Sequence, residues 1–308
     1  MTERPAWIAV DWGTSNLRAW GMRNNDEVLF ERQSAEGMNT LAPADYTSVL
    51  KRLLADTPAA DMQDLDVVIC GMAGARQGWR EAPYLETPAP LEMLAQGAVV
   101  PPTDDARFKP RILPGVCQKQ AGAEDVMRGE ETQILGLTAL KPGFSGTVCM
   151  PGTHAKWVAV DSGHIARFET VMTGELFDVL RHHSVLRHSM PEDASGGDVS
   201  AGTADGLALG LAEPERLTGL LFRTRAAAIL SGKSADWCAG FMSGLLVGAE
   251  IGGHKSWLDG TGTIPLIGSA RLCGLYADAL ERVGVKTEII DAGSAVRAGL
   301  SAARKQLA

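Results

Sequence analysis

The 308-residue chain lacks most of what would mark it as a secreted, metal-stapled, nucleic-acid-binding or membrane protein. It has only five cysteines, Cys70, Cys117, Cys149, Cys238 and Cys273, which are scattered, odd in number and never spaced C-x-x-C. That pattern argues against a disulfide framework or zinc site and predicts a reducing, cytoplasmic setting. The first residues, M-T-E-R-P-A-W, carry no apolar signal core. No apolar run approaches membrane-spanning length. No basic block occurs and the net charge is −8, so neither nucleic acid nor an anionic membrane surface is an expected partner. What remains, 45% hydrophobic and 21% charged residues, is an ordinary globular composition, long enough for two domains with separate cores.

The organising stretch is Trp7 to Met22, W-I-A-V-D-W-G-T-S-N-L-R-A-W-G-M. Trp7–Val10 is an apolar run of strand length, Gly13-Thr14-Ser15-Asn16 a tight turn, and Leu17–Trp20 a returning strand. The hairpin tip thus carries a carboxylate, two hydroxyls, an amide and a glycine. Gly13 lets backbone N–H groups approach a phosphate, and Thr14, Ser15 and Asn16 add donors without bulk. Asp11, at the strand end, can hold Mg²⁺, which takes oxygen ligands. The same D-x-G-T residues also suit an ordinary hairpin turn.

The plan recurs. Thr147–Met150 reads as a strand, Pro151-Gly152-Thr153-His154 as a turn, Lys156–Val160 as a returning strand, and His164–Thr170 as a third. The opening segment likewise continues through Asn24-Asn25-Asp26 into a third strand, Glu27–Gln33. Gly13 and Gly152 lie 139 residues apart, about a domain length. Two meanders tipped with Gly-Thr predict two related domains, residues 1–140 and 141–290, with a last helix over about 291–308 packing back on the first. The second turn has Met150-Pro151 where the first has Asp11-Trp12, so a metal is expected only at the first. Gly152, Thr153 and His154 are phosphate-binding candidates. Lys156 either adds positive charge there or points outward from its strand.

Between and beyond these turns, helical periodicity runs from Pro43 to Ala55, and Asp66–Cys70 is a buried-strand run. The glycine-rich loop Gly71–Trp79 follows it, where α/β folds place ligands, making Arg76 and Trp79 substrate-side candidates. Arg80–Pro102 is Pro-rich and reads mostly as loop. Val126–Gln133, V-M-R-G-E-E-T-Q, opens the helix Ile134–Leu140. Its acidic pair suits the helix macrodipole. It equally suits a group that orients or deprotonates a substrate hydroxyl (Glu130 or Glu131), beside an arginine for a carboxylate (Arg128). His182-His183 has no metal-ligand spacing. Pro191–Gly206 reads as a Gly/Ser/Asp loop. Gly240, Gly244 and Gly248 give a core helix a small-residue stripe. Thr263–Ser269 leads as strand and turn into a helix Arg271–Val283, a platform for a nucleotide through Gly268, Ser269 and Arg271. Lys286–Ile290 is a further strand, and a last helix covers Ala295–Gln306.

In this order the pieces resemble the superfamily of acetate kinase, sugar kinases, heat-shock chaperone ATPases and actin. D-W-G-T-S-N is similar to its first phosphate motif, P-G-T-H to its second and L-I-G-S-A-R to its adenosine motif. More narrowly, D-W-G-T-S-N-L-R-A-W, V-M-R-G-E-E-T-Q, M-P-G-T-H-A-K-W-V and T-V-M-T-G-E-L resemble the bacterial 2-dehydro-3-deoxygalactonokinases over nearly the whole chain. The resemblance implies an α/β fold of two ribonuclease-H-like domains with mixed sheets and a cleft between them holding ATP and sugar acid. It implies ATP-dependent phosphorylation of the 6-hydroxyl of 2-dehydro-3-deoxy-D-galactonate with Mg²⁺. Arg18, Arg76 and Arg128 are then available for the acid's carboxylate, and Glu130, Glu131 or Asp11 for the base. The alternatives are a kinase of the same superfamily for another sugar or sugar acid, an actin- or chaperone-like ATPase without a small acceptor, and a non-catalytic sugar sensor. A homodimer is left open.

Overall fold

Alternation along Trp7–Trp12 gives both faces of one strand an apolar surface, and the first sheet is built outward from it. A computed structural model describes residues 3–191, 198–260 and 262–307. In chain order it contains β1 (Trp7–Trp12), β2 (Leu17–Met22), β3 (Val28–Ser34), α1 (Tyr46–Leu54), β4 (Leu65–Gly71), β5 (Tyr84–Glu86), β6 (Ala89–Pro90), α2 (Met93–Gln96), β7 (Phe108–Ile112), β8 (Gly115–Gln118), β9 (Asp125–Met127) and α3 (Glu130–Leu140). It continues with β10 (Gly146–Met150), β11 (Ala155–Asp161), β12 (His164–Val171), α4 (Thr173–His183), α5 (Val199–Ala212), α6 (Leu217–Leu221), α7 (Arg223–Ser231), α8 (Ala235–Gly253) and α9 (Lys255–Leu258). β13 (Ile264–Gly268), α10 (Ala270–Glu281), β14 (Thr287–Asp291) and α11 (Ala292–Leu307) complete it. No helix among the described residues is long and apolar enough to cross a membrane.

The chain divides into two compact units. The first takes Met1–Ser145, Ala159–Phe168 and Ala292–Ala308; the second takes Gly146–Val158 and Glu169–Asp291. In the first, the sheet order is β3-β2-β1-β4-β7, with β1–β2 and β2–β3 antiparallel and β1–β4 and β4–β7 parallel. One face, Ile8, Val10, Trp12, Leu17 and Ala19, packs with Tyr46, Val49, Leu50 and Leu54 of α1. Toward the other face come Arg297 and Arg304 of α11, whose guanidinium groups lie over the rings of Trp20 and Trp7. β6 pairs with β12 at Ala89–Ile165 and Pro90–His164. In the second unit the strand sequence β12-β11-β10-β13-β14 repeats the same plan, with β10, β13 and β14 parallel. The fold is therefore α/β, of two ribonuclease-H-like units.

The composition of residues 191–206 predicts a loop, and there the structure differs. Residues 192–197 lie outside the described residues, and Val199–Ala212 form α5. Its glycines face a partner helix rather than solvent. A Cβ at Gly202 or Gly206 would lie 2.1 Å from a carbonyl oxygen of α8, and one at Gly244 would lie 2.2 Å from the Thr203 carbonyl. The stripe on α8 thus has a matching stripe on α5, and the two backbones meet directly. The Pro-rich stretch 80–102, read as loop, contains the short elements β5, β6 and α2.

Gly206→Ala tests this packing. Alanine gains up to about 1 kcal/mol in helix propensity over glycine, but a methyl group forced against backbone costs about 1–3 kcal/mol and occasionally more. The steric cost is expected to prevail, so the denaturant midpoint of the variant should fall.

Candidate functional site

The turn between β1 and β2 is closed by the Gly13 N–H donating to the Asn16 carbonyl at 2.8 Å. It is braced from outside its own hairpin. Met38 N–H donates to the Gly13 carbonyl and Asn39 N–H to the Thr14 carbonyl, both at 3.0 Å. Gly37 permits this, since a Cβ there would lie 2.4 Å from the Thr14 carbonyl oxygen. The backbone is fixed by backbone, and Thr14, Ser15 and Asn16 remain exposed. They line a cavity of about 790 Å³ together with Asp11, Gly13, Arg18, Gln33 and Ser34.

Asp11 lies at the end of this cavity's floor and forms an ion pair with Arg18 at 2.7 Å. The Cys70 thiol donates toward its other oxygen at 3.9 Å. Burial holds that thiol well above its ordinary pKa, so it stays protonated. Gly71, with φ +88°, turns the chain away from β4, because a Cβ there would lie 2.6 Å from the Trp12 carbonyl. Gly129, at the start of α3, sits directly against Gly71. The D-W-G-T, glycine-rich and R-G-E-E segments therefore converge at the carboxyl ends of parallel β1 and β4, where α/β sheets place ligands.

The acidic pair of α3 corrects the expectation of a general base. Glu131 is fully buried and accepts from the Gly129 N–H at 2.7 Å and the Thr132 hydroxyl at 3.0 Å. It reaches no solvent and so no substrate hydroxyl. Glu130, half-buried, accepts from the Arg128 N–H at 3.0 Å. Both carboxylates turn back to N–H groups at the helix start, the arrangement the macrodipole favours. Trp79 is a second correction. It is 4% exposed, donates its indole N–H to the Pro102 carbonyl at 2.8 Å and stacks on Tyr46, so it belongs to the core rather than to a substrate surface. The Arg128 guanidinium lies 4.2 Å from the Tyr84 ring centroid and donates to the Ala82 carbonyl at 2.9 Å. Arg76 is exposed on the loop after β4.

In the second unit Gly152, Thr153 and His154 occupy the turn between β10 and β11, braced in the same manner. The Glu175 N–H donates to the Thr153 carbonyl at 2.9 Å, and a Cβ at Gly174 would lie 2.5 Å from the Gly152 carbonyl oxygen. The His154 Nε2 pairs with the Glu175 carboxylate. Gly268 packs against the Pro151 carbonyl, and the Ser269 hydroxyl accepts from the Leu272 N–H at 3.4 Å to cap α10, placing exposed Arg271 in its first turn. β10 and β13 are parallel neighbours, so these two groups share the carboxyl end of one sheet. Lys156 does not point outward: at 4% exposure it is inside the unit. Beneath the turn, buried Glu250 of α8 accepts from Trp157 Nε1 at 2.8 Å, from the Tyr276 hydroxyl at 2.6 Å and from the Thr173 hydroxyl. Burial raises its pKa.

The residues read from the sequence as phosphate-binding thus stand in two equivalent, glycine-braced turns. The model of the 2-keto-3-deoxy-galactonokinase family matches residues 11–303. The chain belongs to that family. A relative from Rhizobium meliloti named as a probable 2-dehydro-3-deoxygalactonokinase is 43% identical, covering 100% of this chain and 99% of the relative. The Escherichia coli 2-dehydro-3-deoxygalactonokinase is 37% identical over 97% of each chain. A Sinorhizobium meliloti crystal structure described under the same enzyme name superposes with a TM-score of 0.89 at 43% identity, covering 97% of this chain and 98% of that one.

Family motifs alone did not point to Gln33, Ser34, Gly37, Glu175 or Glu250. The repeat contains the signal for two of them: Gly37 follows Gly13 by 24 residues, and Gly174, next to Glu175, follows Gly152 by 22.

Burial, with Glu130 nearby, lifts the Glu131 pKa from its ordinary 4.5 to about 7. The native state therefore holds this proton where the unfolded chain has released it. Its contribution to stability is greatest below pH 4.5, declines as pH rises to about 7, and is constant above. Denaturant unfolding at pH 5 and pH 7.5 should show wild type losing about 1–3 kcal/mol more than Glu131→Gln over that interval.

Proposed function

We propose that this family member is an ATP-dependent kinase that phosphorylates the 6-hydroxyl of 2-dehydro-3-deoxy-D-galactonate. The observation that carries the reading is the pair of braced Gly-Thr turns, only one of which has a carboxylate, in a chain matched from end to end by relatives of that name.

The donor set fits a nucleotide polyphosphate. Backbone N–H groups near Gly13 and Gly152, the hydroxyls of Thr14, Ser15 and Thr153, the Asn16 amide and the His154 ring offer donors without bulk. Gly268, Ser269 and Arg271 provide the surface for adenosine. Mg²⁺ also fits. Among the described residues no group of three His, Cys, Asp or Glu side chains could cage a metal. A single carboxylate, Asp11, suits an ion that takes its other ligands from water and phosphates. When bound, Mg²⁺ would neutralise charge on the transferred phosphoryl group.

The chain's own residues then have three tasks. The turns orient the phosphates, which supplies most of the catalysis in phosphoryl transfer. Arg18, lining the cavity, is the fork for the acid's carboxylate. Asp11 is the cavity's carboxylate and accepts a hydrogen bond from the attacking hydroxyl, the role Glu131 is too buried to perform.

A coupled ADP-release assay with Mg-ATP, the galactonate-derived acid, its gluconate epimer and a no-sugar control tests the reading. Acid-dependent turnover is expected, lowered about 10²- to 10⁴-fold in Asp11→Asn. Turnover indifferent to acid would favour an ATPase without a small acceptor, and none with either acid would remove the substrate assignment.

A further inference from the structure

The row of side chains at the cavity does not end with Arg18. Backbone register sets Asp11 opposite Arg18 across β1 and β2, and Arg18 opposite Gln33 across β2 and β3. Residues directly opposite one another in a pleated sheet project from the same face. A carboxylate, a guanidinium and a primary amide therefore stand in line at strand spacings of about 4.8 Å, and all three line the same cavity.

Their states differ. Asp11 and Arg18 are paired, and each is partly covered. Gln33 is exposed, and its amide has no hydrogen-bond partner among the described residues. Its neighbour Ser34, by contrast, is committed to Glu36 at 3.0 Å. An amide offers one acceptor and two donors in a fixed plane, which suits an alcohol and reads its direction.

We propose that Gln33 is a specificity-determining residue of the acceptor site, hydrogen-bonding a hydroxyl of the sugar acid whose carboxylate Arg18 holds. The inference rests on the kinase reading above. With C1 at Arg18, three carbon–carbon bonds of about 1.52 Å each bring C4 one strand spacing along the row, opposite Gln33. C4 is the centre at which the galactonate- and gluconate-derived acids differ. A correctly configured C4 hydroxyl meets the amide; the epimer leaves it unpaired. No side chain of the phosphate turns is altered by changing Gln33, and its exposure leaves the core intact.

The test is steady-state kinetics of wild type, Gln33→Ala and Gln33→Glu on both C4 epimers, with the ATP KM measured alongside and acid binding followed by calorimetry without nucleotide. Gln33→Ala should lower kcat/KM for the galactonate-derived acid about tenfold, the usual effect of one lost hydrogen bond. It should change the epimer less than threefold and leave the ATP KM within about twofold. Gln33→Glu, which adds a second negative charge beside Asp11, should weaken binding of both acids. Equal losses for the two epimers with Gln33→Ala, no loss at all, or an effect confined to the ATP KM would overturn the inference while leaving an active wild type and the kinase reading in place. A wild type that neither binds nor turns over either acid would overturn both.

Discussion

Close contact between a glycine and a Gly-Thr turn is the constraint on which both candidate sites depend. In the first unit Gly37 meets the Thr14 carbonyl, and in the second Gly174 meets the Gly152 carbonyl, each at a distance no Cβ could tolerate. Because main-chain hydrogen bonds hold the turns, their side-chain hydroxyls and amides are not consumed in holding shape. A phosphate site needs that combination: rigid backbone donors and polar side chains with free capacity. The two units also share strand order, so the repeat extends from the turns to the sheets that carry them.

Each turn rests on a buried carboxylate, though by different means. Glu131 satisfies N–H and hydroxyl groups at the start of α3, while Glu250 joins β11, α4 and α10 through three donors. Buried acids are costly unless hydrogen-bonded, and both are. Their raised pKa values mark them as internal supports that resist ionisation. Perturbed pKa alone would nominate Glu131 as a catalytic acid or base, but its complete burial assigns it to the framework. Asp11, partly exposed in a cavity among donors, is the carboxylate placed for chemistry. In a chain of net charge −8, the Arg18 guanidinium beside it supplies local positive charge for an acidic substrate.

Glycine recurs where helices meet. Gly136 and Gly299 bring α3 and α11 into backbone contact, and the stripes of α5 and α8 do the same in the second unit. The first contact seats the helix whose N-terminus supports the Asp11 site. Composition misleads here, because the same small residues that favour loops also permit the tightest helix packing. At 191–206 only the partner stripe on α8 distinguishes the two outcomes, and that partner is distant in sequence.

The sequence by itself determined the local events: the strand–turn–strand hairpins, the duplicated Gly-Thr tips, the carboxylate present in one and absent in the other, and the family. These follow from short-range periodicity and turn chemistry, which need no knowledge of neighbours. Tertiary structure alone decided burial and cross-strand alignment. Trp79 and Glu131 occur in motifs that look functional, yet packing from Tyr46 and the floor of α3 removes them from solvent. Gln33 lies in no motif, yet the register of β2 and β3 sets it beside Arg18. Register is fixed by hydrogen bonds between strands whose order along the chain does not specify which residues become opposite, so the row from Asp11 to Gln33 exists only in the folded sheet.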